Sequence, residues 1–372
     1  MMEQSKQTNN YQSDIKENPV RSDKELIIVT GSSGLLGTRI INKLVNRFRL
    51  VGLDKFGNPY PPREAEWVCF DITSGESIRK AMERVRFAHG DKIASVVHLA
   101  AYYDFSGEPS PLYEEVTVKG TEKIIKVLQD FDVGQFIFSS TNLIYKPTSP
   151  GEKIDEDCPL EPNWDYPESK VDTEQIIREN RGDIPVVLLR LAGVYDDECH
   201  SIPISHQIQR IYEKQLISHF YSGDLNHGNV FLHMEDLITS IEKTIDKRNE
   251  LPDEIAINIG EPETMSYKEL QDEIGRLIHG ESWKTYEMPK TLAKVGSYGM
   301  NIVGDPFIKP WMIDRADDHY ELDISRAKDL LDWKPKHSLK ETIPLMIKKL
   351  KEDPVKWYKE NNLEMPSDLD KS

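Results

Sequence analysis

Apolar and polar positions alternate along the chain in blocks. Short apolar runs lie at residues 25–30 (ELIIVT), 50–54 (LVGLD), 67–71 (WVCFD), 94–100 (ASVVHLA), 135–140 (QFIFSS) and 185–192 (PVVLLRLA). Each is too short for a helix and rich in Val, Ile or Phe, which is how strands covered on both faces read. Between them, residues 35–47 and 112–130 place apolar side chains at helical spacing. A third helix is expected to start near Tyr166, with Pro167 in a first turn that tolerates it. The alternation predicts a parallel sheet flanked by helices. It weakens after residue 195 and resumes with a strand at 254–261 and a helix at 266–280. We therefore expect a polar tail at 1–24 and a main domain at 25–195, its sheet completed within 236–265. A smaller substrate-side lobe is expected from 196–235 and 281–320, with C-terminal helices and tail over 321–372.

The 372 residues carry a formal net charge of −17, which argues against nucleic acid as a partner, because phosphate binding needs a basic surface. No apolar stretch approaches the roughly 18 residues that span a bilayer, and the N-terminal segment lacks the apolar core of a signal peptide. A cytoplasmic protein with no membrane partner is the expectation. Cys69, Cys158 and Cys199 show neither CxxC nor metal-site spacing, so they are expected to be reduced and structural. Five histidines, His200, His206, His219, His227 and His233, crowd one stretch without the spacing of a known metal motif, and no metal is expected.

The first strand runs directly into Thr30-Gly31-Ser32-Ser33-Gly34-Leu35-Leu36-Gly37. Here Gly31 allows the tight turn, Gly34 lets backbone approach a pyrophosphate, and Gly37 lets the helix lie close to the strand. The helix N-terminus adds N–H groups and positive dipole, so Ser33 and Leu35 join the expected cofactor contacts. The second strand ends in Asp54, placed to accept the ribose hydroxyls of adenosine. An acid there favours NAD over NADP, although Lys55 beside it leaves room for NADP. Strand, glycine loop, helix and acid-ended strand together predict an α/β, Rossmann-type doubly wound parallel sheet carrying a smaller C-terminal substrate-binding lobe.

Tyr166-Pro167-Glu168-Ser169-Lys170 has YxxxK spacing, which puts Tyr and Lys on one helix face. A lysine ammonium lowers a nearby phenol pKa and makes Tyr166 a workable acid/base, while Lys170 also suits the nicotinamide ribose. The fifth strand ends in Ser139-Ser140-Thr141, where a hydroxyl facing the cleft can share a substrate proton with Tyr166. Tyr102, Tyr103 and Phe105, just past the fourth strand, are candidates to line a pocket.

With these residues in place, the chain resembles an extended short-chain dehydrogenase/reductase, the branch that includes NAD-dependent nucleotide-sugar epimerases and dehydratases. The likeness spans about residues 25 to 345. It includes Asp71-Ile72, His98-Leu99-Ala100-Ala101, Gly120-Thr121, the run from Arg190 to Tyr195, His233-Met234-Glu235-Asp236-Leu237, Asn258-Ile259-Gly260, and Ser325 through Pro335. The resemblance implies Thr141, Tyr166 and Lys170 as catalytic residues. It places Asp71, Ile72, Leu99, Ala100 and Ala101 beside the cofactor, and implies a homodimer formed through the helices near 112–130 and 166–180.

Departures from the pattern narrow the expectation. Asn142-Leu143 stand where the dehydratases carry an Asp-Glu pair, so dehydration is disfavoured. Gly193 replaces the family's diphosphate-binding Asn, Asn229-Val230 replace an Arg-Asp, and Thr117 replaces another Asn. Lys309 and Arg315 are the remaining nearby cations. Tyr102, Tyr103, Asn142, Gly193, Asn229 and His233 are the expected substrate-lining residues. The expected activity is NAD(P)-dependent oxidation and reduction, or epimerisation, at a hydroxyl or keto carbon of a polar, sugar-like small molecule. A ketone or aldehyde reductase of a non-sugar substrate, and a catalytically silent dinucleotide-binding sensor or scaffold, are the alternatives.

Overall fold

A computed structural model of the protein describes residues 24–57, 64–104, 107–294, 309–366 and 369. All but the last residue of the expected N-terminal tail lies outside the described residues, as do Phe105 and positions 295–308 of the expected lobe.

The apolar runs become strands β1 (Leu26–Thr30), β2 (Arg49–Asp54), β3 (Ala65–Cys69), β4 (Ser95–His98), β5 (Phe136–Thr141), β6 (Val186–Leu191) and β7 (Glu254–Ile259). They form one sheet in the order β7-β6-β5-β4-β1-β2-β3, every neighbouring pair parallel. The architecture is Rossmann-type. Successive side chains of a strand point to opposite faces, and β1 uses both. Ile27 and Val29 join the apolar layer of helix α1 (Leu35–Leu44), while Leu26 and Ile28 join the opposite layer. That second layer holds Ile78, Met82 and Val85 of α2 (Gly75–His89) and Ile124, Ile125 and Leu128 of α3 (Lys119–Leu128). All strands run the same way, so their carboxyl ends share one edge. The chain reverses its winding between β1 and β4, which opens a crevice there.

The hydrophobic pattern did not isolate α2, whose narrow stripe of Ile78, Ala81, Met82 and Val85 sits among charged residues. Over 112–130 a single helix is expected, but the chain makes a π-helical turn at Tyr113–Val118 before α3 begins. Helix α4 (Asp165–Asn180) begins at the predicted place with Pro167 in its first turn. Further along come α5 (Ile202–Tyr212), α6 (Met234–Asp246), α7 (Tyr267–His279), α8 (Ser325–Leu331), α9 (Leu339–Glu352) and α10 (Pro354–Glu360). Among the described residues, no helix is long and apolar enough to cross a membrane.

The segments after β6 build a third apolar cluster. Ile204 and Ile208 of α5, Ile274 of α7, Ile343 and Met346 of α9, and Trp357 of α10 pack with Tyr195. Phe220–Tyr221 pairs with Tyr286–Glu287, and Gly193–Tyr195 with Phe231–His233, both in parallel.

One buried carboxyl ties α9 into this arrangement. Glu261 accepts from the Tyr195 hydroxyl at 2.7 Å and from the Leu339 backbone N–H at 2.9 Å. Burial pushes its pKa up to about 7 from 4.5, with Asp236 adding to the push, against the Tyr195 and Leu339 hydrogen bonds and the His337 charge. The folded chain thus binds more protons than the unfolded one between those values, so this group's contribution to stability falls as pH rises through that window. Glu261→Gln supplies one acceptor and one donor, and the Tyr195 hydroxyl can take either role. We expect the variant to match the wild type in melting temperature at pH 5 and to exceed it by several degrees at pH 8. Thermal scans showing equal gaps at the two pH values would reject this.

Candidate functional site

The first half of the site follows from the backbone of the glycine loop. Gly31 has φ +68°, and a Cβ there would meet the Ala100 backbone nitrogen at 3.0 Å. At Gly37 a Cβ would lie 2.3 Å from the Gly31 carbonyl oxygen, so α1 can approach the loop only because this residue has no side chain. The N-cap of α1 is Gly34, which offers no side-chain acceptor to the first-turn N–H groups. Those donors have no partner within the helix, and together with the bare glycines they make a cradle suited to an anion such as a diphosphate.

Behind this cradle a cavity of about 540 Å³ runs along the carboxyl edge of the sheet. Gly31, Ser33, Gly34, Asp54, Asp71, Ile72, Leu99, Ala100 and Ala101, all expected from sequence, line it. Leu35 lies outside that lining and is half exposed, while Gly37 is buried beneath the loop. Sequence reasoning missed Phe56, Phe70, Thr73 and Val116, apolar or small residues with no motif to announce them. Val116 reaches the cavity from the π-helical turn.

Asp54 has a second task that the motif did not reveal. Its carboxylate accepts from the Ser33 N–H at 2.9 Å and from the Phe56 N–H at 3.3 Å, bracketing the glycine loop against the end of β2. Each carboxylate oxygen retains a lone-pair direction for another donor. Lys55 pairs with Asp71 at 3.3 Å. We expect Gly37→Ala to cost roughly 1–3 kcal/mol through overpacking and to loosen the dinucleotide cradle. An unchanged urea midpoint together with unchanged NAD affinity would reject this reading.

Below the cavity, His98 connects β1, β4 and α3. Its Nδ1 meets the Thr30 hydroxyl at 2.8 Å and its Nε2 meets the Thr121 hydroxyl at 2.9 Å, while Thr121 donates to the Thr117 carbonyl. Thr121 spends its proton on Thr117 and so accepts from Nε2–H, which leaves Nδ1 to accept from the Thr30 hydroxyl while Thr30 accepts from Ala100 N–H. Burial, helped by the Lys170 charge, takes the imidazole down to about 3, and it is neutral. This ring orients backbone.

The second half of the site sits at the end of β5. The Lys170 ammonium donates to the Ser139 carbonyl at 2.8 Å and lies 4.8 Å from the Phe138 ring centre. It is 5.7 Å from the Tyr166 ring centre, so the two residues share the helix face that their spacing predicts. Burial brings the lysine down to about 7, opposed by Glu174 one turn further along α4. Tyr166 is pushed up to about 12 by burial, with a hydrogen bond to Thr141 pulling the other way and Tyr113 adding to the rise. Thr141 is itself buried, and its hydroxyl accepts from the Leu143 N–H at 3.3 Å. Tyr166, Lys170 and Thr141 therefore converge one strand away from the cavity wall formed by Leu99–Ala101.

The remaining candidates divide. Tyr103 packs edge-on against Tyr166, with ring centres 5.1 Å apart, and Tyr102 packs likewise on Tyr113 at 4.9 Å. Asn142 is buried beside Thr141 in a 3₁₀ turn. Gly193 and Asn229 are exposed, and Gly193 pairs with Phe231. His233 is buried, accepts from the Glu235 N–H as the cap of α6, and stacks on His337 at 4.1 Å. The other histidines are equally dispersed: His219 stacks on Trp283, His227 contacts the Asp317 carbonyl, and His200 pairs with Asp196. Asp196, Glu198 and His200 lie within 4.8 Å of one another, but Arg39 engages Asp196 and Lys349 engages Glu198. These contacts tie α1 and α9 to the segment after β6.

The fold recurs in known proteins. The model of the NAD dependent epimerase/dehydratase family matches residues 27–260. The chain belongs to this family. A UDP-glucuronate 4-epimerase of Thermodesulfobacterium geofontis is 25% identical over 90% of this chain and 96% of its own length. The human dTDP-D-glucose 4,6-dehydratase is 24% identical over 90% of each chain. Among solved structures, the UDP-glucuronic acid 4-epimerase of Bacillus cereus, in complex with UDP-glucuronic acid and NAD, superposes with a TM-score of 0.67 at 20% identity. The match covers 88% of this chain and 99% of that one. Family membership makes this an NAD-dependent enzyme, and the glycine cradle, the open first turn of α1 and Asp54 fit that cofactor.

Proposed function

We propose that this chain is an NAD-dependent epimerase or dehydrogenase acting at a hydroxyl-bearing or keto carbon of a sugar-like small molecule. The observation that carries the proposal is the convergence of Thr141, Tyr166 and Lys170 at the end of β5, next to a glycine cradle on the same sheet edge. Gly31, Ser33, Gly34 and the first turn of α1 would hold the diphosphate. Asp54 would hold the adenosine ribose, Asp71 and Ile72 the adenine, Leu99–Ala101 the middle of the cofactor, and Lys170 the nicotinamide ribose. Bound NAD supplies a reversible hydride acceptor. The protein supplies the proton path: Tyr166 takes the substrate hydroxyl proton at Oη and returns it on reduction. Thr141 holds the phenol in place and steadies the anionic form. The ammonium of Lys170 titrates near neutrality and favours that same anion.

A 4,6-dehydratase is a weaker reading despite the dehydratase relatives. Water elimination needs an acid and a base beside the hydroxyl residue, and Asn142 and Leu143 offer neither. We propose a homodimer through the π-helical turn, α3 and α4. Leu112, Val127 and Ile176 are partly exposed there among the charges of Glu115, Lys119, Lys126 and Asp172, and such a mixture pairs across a two-fold axis when opposite charges meet.

Native mass spectrometry of the protein purified without added cofactor tests the proposal. We expect twice the chain mass and near-stoichiometric NAD, which favours a self-contained epimerisation cycle. An empty protein that takes up NAD reversibly would make it a dehydrogenase. Failure to bind NAD would reject the function, and a monomer mass would reject the dimer.

A further inference from the structure

Three consecutive residues at the end of β5 each hold one residue of a single stripe on α4. Tyr166, Lys170 and Glu174 follow one another at four-residue spacing, so they lie along one side of the helix. Thr141 hydrogen-bonds Tyr166, the Ser139 carbonyl accepts from Lys170 at 2.8 Å, and the Ser140 hydroxyl donates to the Glu174 carboxylate at 2.7 Å. The first two contacts belong to the reaction centre. The third lies behind it, and the side chain that makes it has no exposed surface.

Glu174 is held from three directions. Arg190 of β6 engages both of its oxygens, at 3.2 and 2.8 Å. Arg178, one turn further along α4, reaches it at 3.3 Å and also pairs with Glu254 of β7. With Ser140, these contacts seat α4 on the ends of β5, β6 and β7, and so fix where Tyr166 and Lys170 stand.

The same carboxylate acts on Lys170 through its charge. The lysine is buried, and its hydrogen bond goes to the neutral Ser139 carbonyl. Burial works against the ammonium, and Glu174 works for it. From the sheet it meets the Phe138 ring of β5 and the neutral His98 imidazole of β4. The π-helical turn and α3, which pack on α4, bury uncharged side chains, among them the titratable Tyr113 beside Tyr166. Arg190 and Arg178 are engaged by Glu174 itself. A buried ammonium that loses its facing negative charge sheds its proton more readily.

We propose that Glu174 is a positioning residue of the reaction: through Ser140 and Arg190 it seats α4 on the sheet, and through its charge it keeps the Lys170 ammonium protonated behind Tyr166. The inference rests on the proposed roles of Tyr166 and Lys170 and assigns the group that supports them. Glu174 acts through the lysine, so its loss changes the pH at which the centre holds its charge.

The test reads Lys170 directly and needs no substrate. The full chain is prepared with selectively ¹³C-labelled lysine, and the Lys170 signal is assigned by its loss in Lys170→Arg. Its chemical shift is then titrated by NMR, with and without NAD. In the wild type the midpoint is expected at about 7. Glu174→Gln keeps the length and the oxygen that Ser140 needs but not the charge, and should lower the midpoint by about 1–2 pH units. Glu174→Asp keeps the charge and should hold the midpoint within about half a unit of the wild type. Arg190→Met combined with Glu174→Leu removes the buried pair together and should show the same fall as Glu174→Gln. That double variant decides the matter if Glu174→Gln does not fold. A midpoint unmoved by loss of the carboxylate, or an equal fall in Glu174→Asp, would overturn the proposal. NAD binding is read on the same samples. A chain that binds NAD while Lys170 ignores Glu174 loses this inference alone, whereas one that binds no NAD loses the proposed function.

Discussion

Tyr166→Phe is expected to lower kcat by roughly 10²–10⁴-fold, the usual contribution of one positioned acid/base, while NAD affinity stays within a factor of two or so. The ring survives the change, so the contacts with Tyr103, Tyr113 and Trp164 are kept and only the ionisable oxygen is lost. A phenol at about 12 is a poor base at neutral pH, and that value already includes burial and the Thr141 hydrogen bond. The activity therefore depends on charge supplied by Lys170 and on the proton shared with Thr141. Steady-state kinetics and NAD titration on the same preparation check this. A variant with near wild-type kcat would remove Tyr166 from the reaction.

The largest effect on stability is expected at Arg190. This guanidinium is buried on β6 and grips Glu174 of α4 with two hydrogen bonds, at 3.2 and 2.8 Å. It also donates to the Tyr145 hydroxyl at 2.8 Å and to the Glu156 carbonyl at 2.9 Å. Glu174 has no exposed surface, and its other partners are the Ser140 hydroxyl and Arg178. Arg190→Met would fill the space and leave a buried carboxylate short of its main partner, costing about 3–5 kcal/mol. Adding Glu174→Leu should recover much of that loss, because removing both members of a buried pair spares the uncompensated charge. Urea unfolding of the two single variants and the double variant forms the cycle. Additive losses would mean that the pair is not coupled.

Much of this was legible in the chain because the signals are local. A strand feeding a glycine loop and a helix is a contiguous pattern, and it requires a conformation and a close approach that favour glycine, as at Gly31. The Tyr-Lys spacing is fixed by helix geometry alone. Arg190 entered the sequence reading only as the start of a family run, and its grip on Glu174 emerges only in the fold. Other features were illegible because they are assembled across the fold. Tyr103 and Trp164 look like ordinary aromatic residues until the fold brings them to Tyr166. Asp54 reads as a ribose ligand, yet it also clamps Ser33 and Phe56. His233 looks like a pocket residue within its motif, whereas its geometry is that of a helix cap. Helix α2 escaped because a stripe of four apolar residues in a charged segment carries little periodic signal.

The position of β7 at the sheet edge beside β6 has a consequence for biosynthesis. The Tyr145 hydroxyl, which accepts from Arg190, donates to Asn258 at 2.7 Å, and Asn258 lies on that last strand. A nascent chain that has delivered the glycine loop, Thr141 and Tyr166 still lacks this partner. At typical elongation rates the wait from the end of β6 to the end of β7 lasts roughly 3–14 s. Throughout that interval β6 presents an unpaired edge rich in Val and Leu, with Tyr145 short of its acceptor. Ribosome-bound intermediates stalled between residues 200 and 250 are thus the species most in need of chaperone protection, although the residues of the reaction centre have already been made.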